Sequence, residues 1–145
     1  MLDHYRIGAA FLILLACCSS CEQVRAPDRI LIPEGQHGWF QICYLRSGAP
    51  PLELHDGRFL IDFSRGREMR TESEMTEGWA ADEYFFVSAT GRLSPIASWP
   101  KTDGVVVRNK TLVNRGQGWC SELFVGDLAE LTASENPWSK SGGSK

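Results

Sequence analysis

The chain has 145 residues and a formal net charge of −3, with a pI near 5.6; that is one domain's worth of polypeptide. It has no run of Lys or Arg to supply the electrostatic footprint a polyanion needs, so nucleic acid is not expected as a partner. Hydrophobic residues at 43%, with five Trp, seven Phe and three Tyr, suffice for a packed core and exclude global disorder.

Residues 1–6 form a short polar lead, and residues 7–16 are an uninterrupted apolar run. A spanning helix needs roughly 20 apolar residues, so this shorter run predicts a signal peptide over residues 1–16 rather than a membrane span. Its end, Leu14-Leu15-Ala16-Cys17, resembles the lipobox read by the lipoprotein signal peptidase. A large aliphatic residue stands at −3, a small one at −1, and the thiol follows the cut. Cys17 is therefore expected to carry the lipid, which makes a membrane the first partner; two or more acyl chains hold a protein there stably. Two alternatives stay open. One is ordinary secretion with cleavage after Ser20. The other is lipidation at Cys21, which puts Cys18 where an aliphatic residue is wanted. Cys18-Ser19 lacks the Asp that commonly retains such proteins at an inner membrane. In a cell with two membranes the outer one is then expected, by analogy.

Residues 17–29 lack periodicity and read as a tether. From Ile30 short apolar bursts alternate with Gly and Pro. Residues 39–45 place Phe40, Ile42 and Tyr44 on one face at period two, which predicts a strand ended by Gly48-Ala49-Pro50-Pro51. Asp56-Gly57 is a turn signal leading into a strand with Phe59, Ile61 and Phe63 on one side. Residues 83–87, 92–96, 105–107 and 119–125 are further strand candidates. Six or seven short strands in a domain over residues 30–126 predict an all-β fold, a small antiparallel β-sandwich or a partly open barrel. Only residues 127–134 suggest a helical turn or two, and the rest of the segment to residue 145 reads as a flexible tail.

Several spaced groups now form a pattern. They are Ile32-Pro33-Glu34-Gly35, Gly38-Trp39, Gly48-Ala49-Pro50-Pro51-Leu52, Asp56-Gly57, Arg70-Thr71-Glu72-Ser73, Gly78-Trp79, Asp82-Glu83-Tyr84-Phe85-Phe86 and Phe124-Val125-Gly126. Together they resemble a family of small bacterial envelope domains, often lipoproteins, of unknown function. The segment from Gly48 to Ser73 also resembles prealbumin-like sandwiches that accompany carboxypeptidases. Neither resemblance implies an activity, a cofactor or a catalytic residue.

Outside the cytoplasm thiols tend to pair, and Cys43 and Cys120 lie in the first and last predicted strands. They are the expected disulfide, either between neighbouring strands or across the sandwich; two separate buried thiols are the alternative. Cys18 and Cys21 pair with one another or with another chain, and the sequence does not choose. His37 and His55, with Glu34 and Asp56, would need loops brought together to hold a metal, so solvated turn histidines are expected and no metal. Asp82 and Glu83 are adjacent on a strand and point to opposite faces, which suits a strand-entry charge pair better than an acid–base pair. Arg65, Arg67 and Arg70 resemble a basic hairpin loop able to touch lipid phosphate or an acidic glycan, but Glu68, Glu72, Glu74 and Glu77 cancel its field. Trp39, Trp79, Trp99 and Trp119 would form a sugar-stacking platform if exposed, though core or edge positions are commoner. Ligand or partner contact is accordingly expected at Arg65, Arg67, Arg70 and Trp79. The expected molecule is a lipid-anchored, non-catalytic module that meets another envelope protein, with glycan or small-ligand binding as the alternative and a hydrolase behind both.

Overall fold

The computed structural model describes residues 25–139, apart from Trp99, Thr102 and the side chain of Asn109. The signal-peptide segment, Cys17, Cys18, Cys21 and residues 140–145 of the tail lie outside the described residues. The strands are β1 (Asp28–Pro33), β2 (Gly38–Cys43), β3 (Glu53–His55), β4 (Arg58–Asp62), β5 (Glu68–Arg70), β6 (Glu83–Val87), β7 (Leu93–Pro95), β8 (Ala97–Ser98), β9 (Val106–Asn114) and β10 (Trp119–Gly126), followed by helix α1 (Leu128–Ala133). They make two five-stranded sheets, in the orders β3-β4-β1-β6-β7 and β5-β2-β10-β9-β8.

Period-two alternation decides what faces the core. Along β1 the residues are alternately buried and half-buried, with Asp28, Ile30 and Ile32 on the buried side. Ile30 and Ile32 join Ile61, Phe63 and Tyr84 from the first sheet and Phe40, Ile42, Tyr44, Leu123 and Val125 from the second in one core. The inward set expected for residues 39–45 is the one found; of the set expected for residues 58–63, Ile61 and Phe63 are in that core, while Phe59 is half-buried and outside it.

The all-β sandwich agrees with the sequence, but the strand pairing differs from the antiparallel one expected. Among the described residues four of the eight strand pairings are parallel: β1 with β4, β1 with β6, β2 with β5, and β8 with β9. The reason is connectivity. The chain passes from β1 in one sheet directly to β2 in the other, and later returns to lay β4 and β6 beside β1 in the same direction. Parallel neighbours need such long crossovers, whereas a meander would have made them antiparallel.

Local chemistry sets the other boundaries. Asp56 and Gly57 join β3 to β4 with φ of 49° and 74°, the two left-handed central positions of a type I′ hairpin turn. Strand β1 begins two residues inside the expected tether, because the Phe59 N–H already donates to the Pro27 carbonyl. Helix α1 forms where the sequence places it, closed by a capping box between Asp127 and Glu130. The tail beyond it is not free at its start. Asn136 Nδ2 donates to Glu122 Oε2 at 2.6 Å and Arg115 to the Trp138 carbonyl at 2.5 Å. Glu122 lies on the outer side of β10 yet is 2% exposed; a carboxylate so placed needs donors, and Arg115, Gln41 and Asn136 supply them.

Cys43 and Cys120 stand directly opposite each other in the antiparallel β2–β10 pair. Their disulfide spans a Cα–Cα distance of 4.1 Å and a sequence separation of 77. Of the two geometries left open by the sequence, the bridge joins neighbours. Closing a loop of that length stabilises by roughly 4 kcal/mol on the chain-entropy estimate. The Cys43→Ala/Cys120→Ala double variant is expected to lose roughly 2–4 kcal/mol of unfolding free energy in urea titrations. A loss within error would mean that the β2–β10 ladder alone holds this register.

Candidate functional site

The alternation that builds the core also builds a charged site at its end. In the parallel β1–β6 pair, Arg29 lies opposite Glu83 and Ile30 opposite Tyr84. Asp28 shares the inward face of Ile30, and Asp82, two residues before inward Tyr84, comes beside it. Both carboxyl side chains are 9% exposed. Two carboxylates so close and so dry repel each other and lose hydration, so they need counter-charges held in place.

Two cations supply them. The Arg25 guanidinium donates to both oxygens of Asp82, at 2.7 and 2.6 Å, and lies 3.2 Å from Asp28 Oδ2. Lys110 reaches over from β9 in the opposite sheet, 2.5 Å from Asp82 and 3.8 Å from Asp28. The backbone N–H of Asp28 donates to Asp82 Oδ1 at 2.9 Å. The carboxylates respond differently. Burial and then the repulsion of Asp82 raise the Asp28 carboxyl above its ordinary value, against the pull of Arg25 and Lys110. Burial also acts upward on Asp82, but the Asp28 N–H, Lys110 and Arg25 outweigh it and hold that carboxyl below its ordinary value. The phenols of Tyr44 and Tyr84 are raised by burial and by Asp28 and Asp82, so they stay neutral.

Glu83 points the other way, bonded to Arg29 at 3.0 Å and Arg58 at 3.1 Å. The neighbouring acids thus serve two separate charge clusters on opposite faces, as the strand geometry requires.

Above the inward cluster lies a cleft of about 460 Å³. Arg25, Asp28, Asp82 and Lys110 form its floor, with Tyr44 and Ser121; Leu112 of β9 is on one side, and Met75 and Trp79 come from the segment leading into β6. Arg25 Nε donates to the Gly78 carbonyl at 3.2 Å, which fastens that segment to the floor. Trp79 is 67% exposed. A smaller cavity of about 230 Å³ shares Arg25, Asp28 and Tyr44 with it.

All these residues fall in one stretch of sequence. A model of the family of unknown function DUF6843 matches residues 25–125. The chain belongs to the DUF6843 family. The match begins at Arg25, so the floor, Trp79 and the disulfide lie inside the family's span, while α1 and the tail lie beyond it. In fold, this DUF6843 chain is similar to the crystal structure of a "Putative Lipoprotein from Bacillus anthracis", with a TM-score of 0.55, 19% identity, and coverage of 83% of this chain and 81% of that one. No curated protein matches the chain.

The residues singled out from the sequence do not gather in one place. Trp79 lines the cleft. Arg67 is held over the Phe40 ring at 4.8 Å and Arg70 pairs with Glu68 at 2.6 Å; with Arg65 they lie outside the cleft lining. His37 bonds Glu130 and His55 bonds Glu53, each at 2.8 Å, so the two histidines serve separate pairs. Among the described residues no group of three or more His, Cys, Asp or Glu is arranged to hold a metal. Trp39 packs edge-on to Phe124 at 5.4 Å, Trp119 is partly exposed, and Trp99 lies outside the described residues.

The pH dependence of stability follows from Asp82. Its carboxyl is held below the ordinary value, so its pairing stabilises the fold above about pH 4 and is lost as pH falls through the depressed value. Asp28, shifted upward, takes its proton earlier and acts in the opposite sense. Asp82→Asn is expected to flatten the acid limb of urea stability below about pH 4. An acid limb as steep as the wild type's would assign the loss to other carboxylates.

Proposed function

We propose that this chain is a lipid-anchored, non-catalytic binding module of the bacterial envelope, with lipid at Cys17 and its recognition site in the Trp79 cleft. The observation that carries the reading is a large indole left exposed in a cleft lined by mutually paired charges. Ligand pockets characteristically combine apolar walls with a few convergent polar groups. The same pairing argues against catalysis. An acid–base pair needs carboxyls free to exchange protons with a substrate, and all the acceptor positions of Asp82 are taken by Arg25, Lys110 and the Asp28 N–H. The lipobox resemblance supports the anchor, and the lipoprotein named among the similar structures is consistent with it. The partner in this reading is another envelope component, and no cofactor is called for.

Metabolic labelling with a fatty acid tests the anchor. Cys17→Ser is expected to abolish incorporation, and labelling that persists in full would move the lipid to Cys18 or Cys21. The cleft is tested in intact cells by a photo-reactive amino acid in place of Glu77, which lines the same cleft. A product that vanishes when Trp79→Ala is added supports the recognition site. The same product at equal yield without Trp79 would remove the cleft from the proposal.

A further inference from the structure

The hydrogen-bonding capacity left over at the cleft floor is unequal among its residues. Asp82 accepts four bonds and has no lone pair to offer. Asp28 meets Arg25 and Lys110 through Oδ2, and among the described residues no donor bonds its Oδ1. Lys110 directs its ammonium to two carboxylates and keeps a third N–H. Ser121 lines the cleft, and its buried hydroxyl has no hydrogen-bond partner; such an orphan normally calls for an explanation. The residual set is therefore an acceptor, a donor and a hydroxyl that can be either.

Charge narrows the ligand further. The floor carries two cations and two anions that neutralise one another, and Glu77 lines the same cleft. With Glu77 the lining holds three carboxylates against two cations, so an anionic ligand meets net repulsion, while one free acceptor, one N–H and one hydroxyl match a neutral donor–acceptor group better than a cation. A neutral group that both donates and accepts, as a hydroxyl does, fits all three residual positions. The walls add a flat apolar surface. Trp79 is 67% exposed and Leu112 50%. Leu112 pairs with Ser121 across the β9–β10 ladder, which sets the two side by side in the lining. An apolar face combined with a hydroxyl-rich edge is the chemistry of a sugar ring.

We propose that the cleft is a saccharide subsite, in which a neutral sugar stacks on Trp79 and its hydroxyls bond to Asp28 Oδ1, the Lys110 ammonium and, once it rotates out of its buried position, the Ser121 hydroxyl. This rests on the reading of the cleft as the recognition site, and it identifies the envelope component as glycan. The cavity of about 460 Å³ lies within the size range of small-ligand sites.

The test uses the full mature protein, lipidated and held in a sugar-free zwitterionic detergent. It is titrated calorimetrically with neutral tetrasaccharides of β-linked N-acetylglucosamine, glucose and galactose. At least one is expected to bind saturably. Trp79→Ala should weaken that binding at least tenfold and Trp79→Phe several-fold less. Ser121→Ala should weaken it about threefold while leaving the thermal midpoint unchanged or higher, which a merely structural serine would not do. If none of the three saturates, or if Trp79→Ala binds as wild type, the saccharide subsite is overturned. The Glu77 crosslink then separates the two readings. A Trp79-dependent crosslink to a protein, such as an extended segment laid against β9, without sugar binding leaves a recognition cleft that takes a peptide. Neither sugar nor crosslink overturns both.

Discussion

Two carboxylates on the inward face of one sheet are the constraint around which this end of the molecule is organised. Asp28 and Asp82 occupy positions that strand periodicity reserves for core residues, directly in line with Ile30 and Tyr84. A hydrophobic cap there would have closed the sandwich. Charges instead demand cations at fixed distances, and each cation determines further structure. Arg25 fixes the chain ahead of β1 and holds Gly78. Lys110 couples the middle of β9 to the opposite sheet. Residues of both sheets line the cleft at this end. Replacing one member of such a set leaves the others buried without compensation, which is costlier than never having built it.

The outer face of the second sheet solves a similar problem by another route. Glu122 is buried beside the disulfide, and its counter-groups come from Gln41 on the neighbouring strand, from Arg115 in the β9–β10 turn and from Asn136 beyond α1. Arg46 adds a donor to Cys120 Sγ at 3.3 Å. The covalent bridge fixes the β2–β10 register, and the polar contacts bring the chain after α1 back over it. The two faces of β10 thus have different roles: Ser121 faces the cleft, while Cys120 carries the disulfide and Glu122 holds Asn136 of the C-terminal segment.

Much of the fold was legible because it depends on local pattern. Phe40-Ile42-Tyr44 and Phe59-Ile61-Phe63 announce their faces, Asp56-Gly57 its turn, and residues 127–134 their helix. Parallel pairing was not legible, since it depends on which sheet each strand joins and no period reports that. The site was half legible. The opposite orientation of Asp82 and Glu83 follows from strand geometry alone, and Trp79 was marked as a contact residue. Asp28 was missed because residues up to 29 read as tether; extending the Ile30–Ile32 alternation one step back would have placed an acid on a buried face. Arg25 and Lys110 had no signal of their own, because nothing in the sequence shows that they converge on one acid from separations of 57 and 28 residues.

Arg25 also bears on how the domain sits if Cys17 carries the lipid. Eight peptide steps separate the two residues, a reach of at most about 28 Å. Its bonds to both oxygens of Asp82 fix the chain at that point, so residues 25–29 of the expected tether are part of the domain. The floor of the cleft and the end of the tether are then the same residue. If the lipid is at Cys17 as proposed, the cleft lies within one short chain length of the bilayer, and a glycan is in reach only if part of it comes that close to the membrane surface.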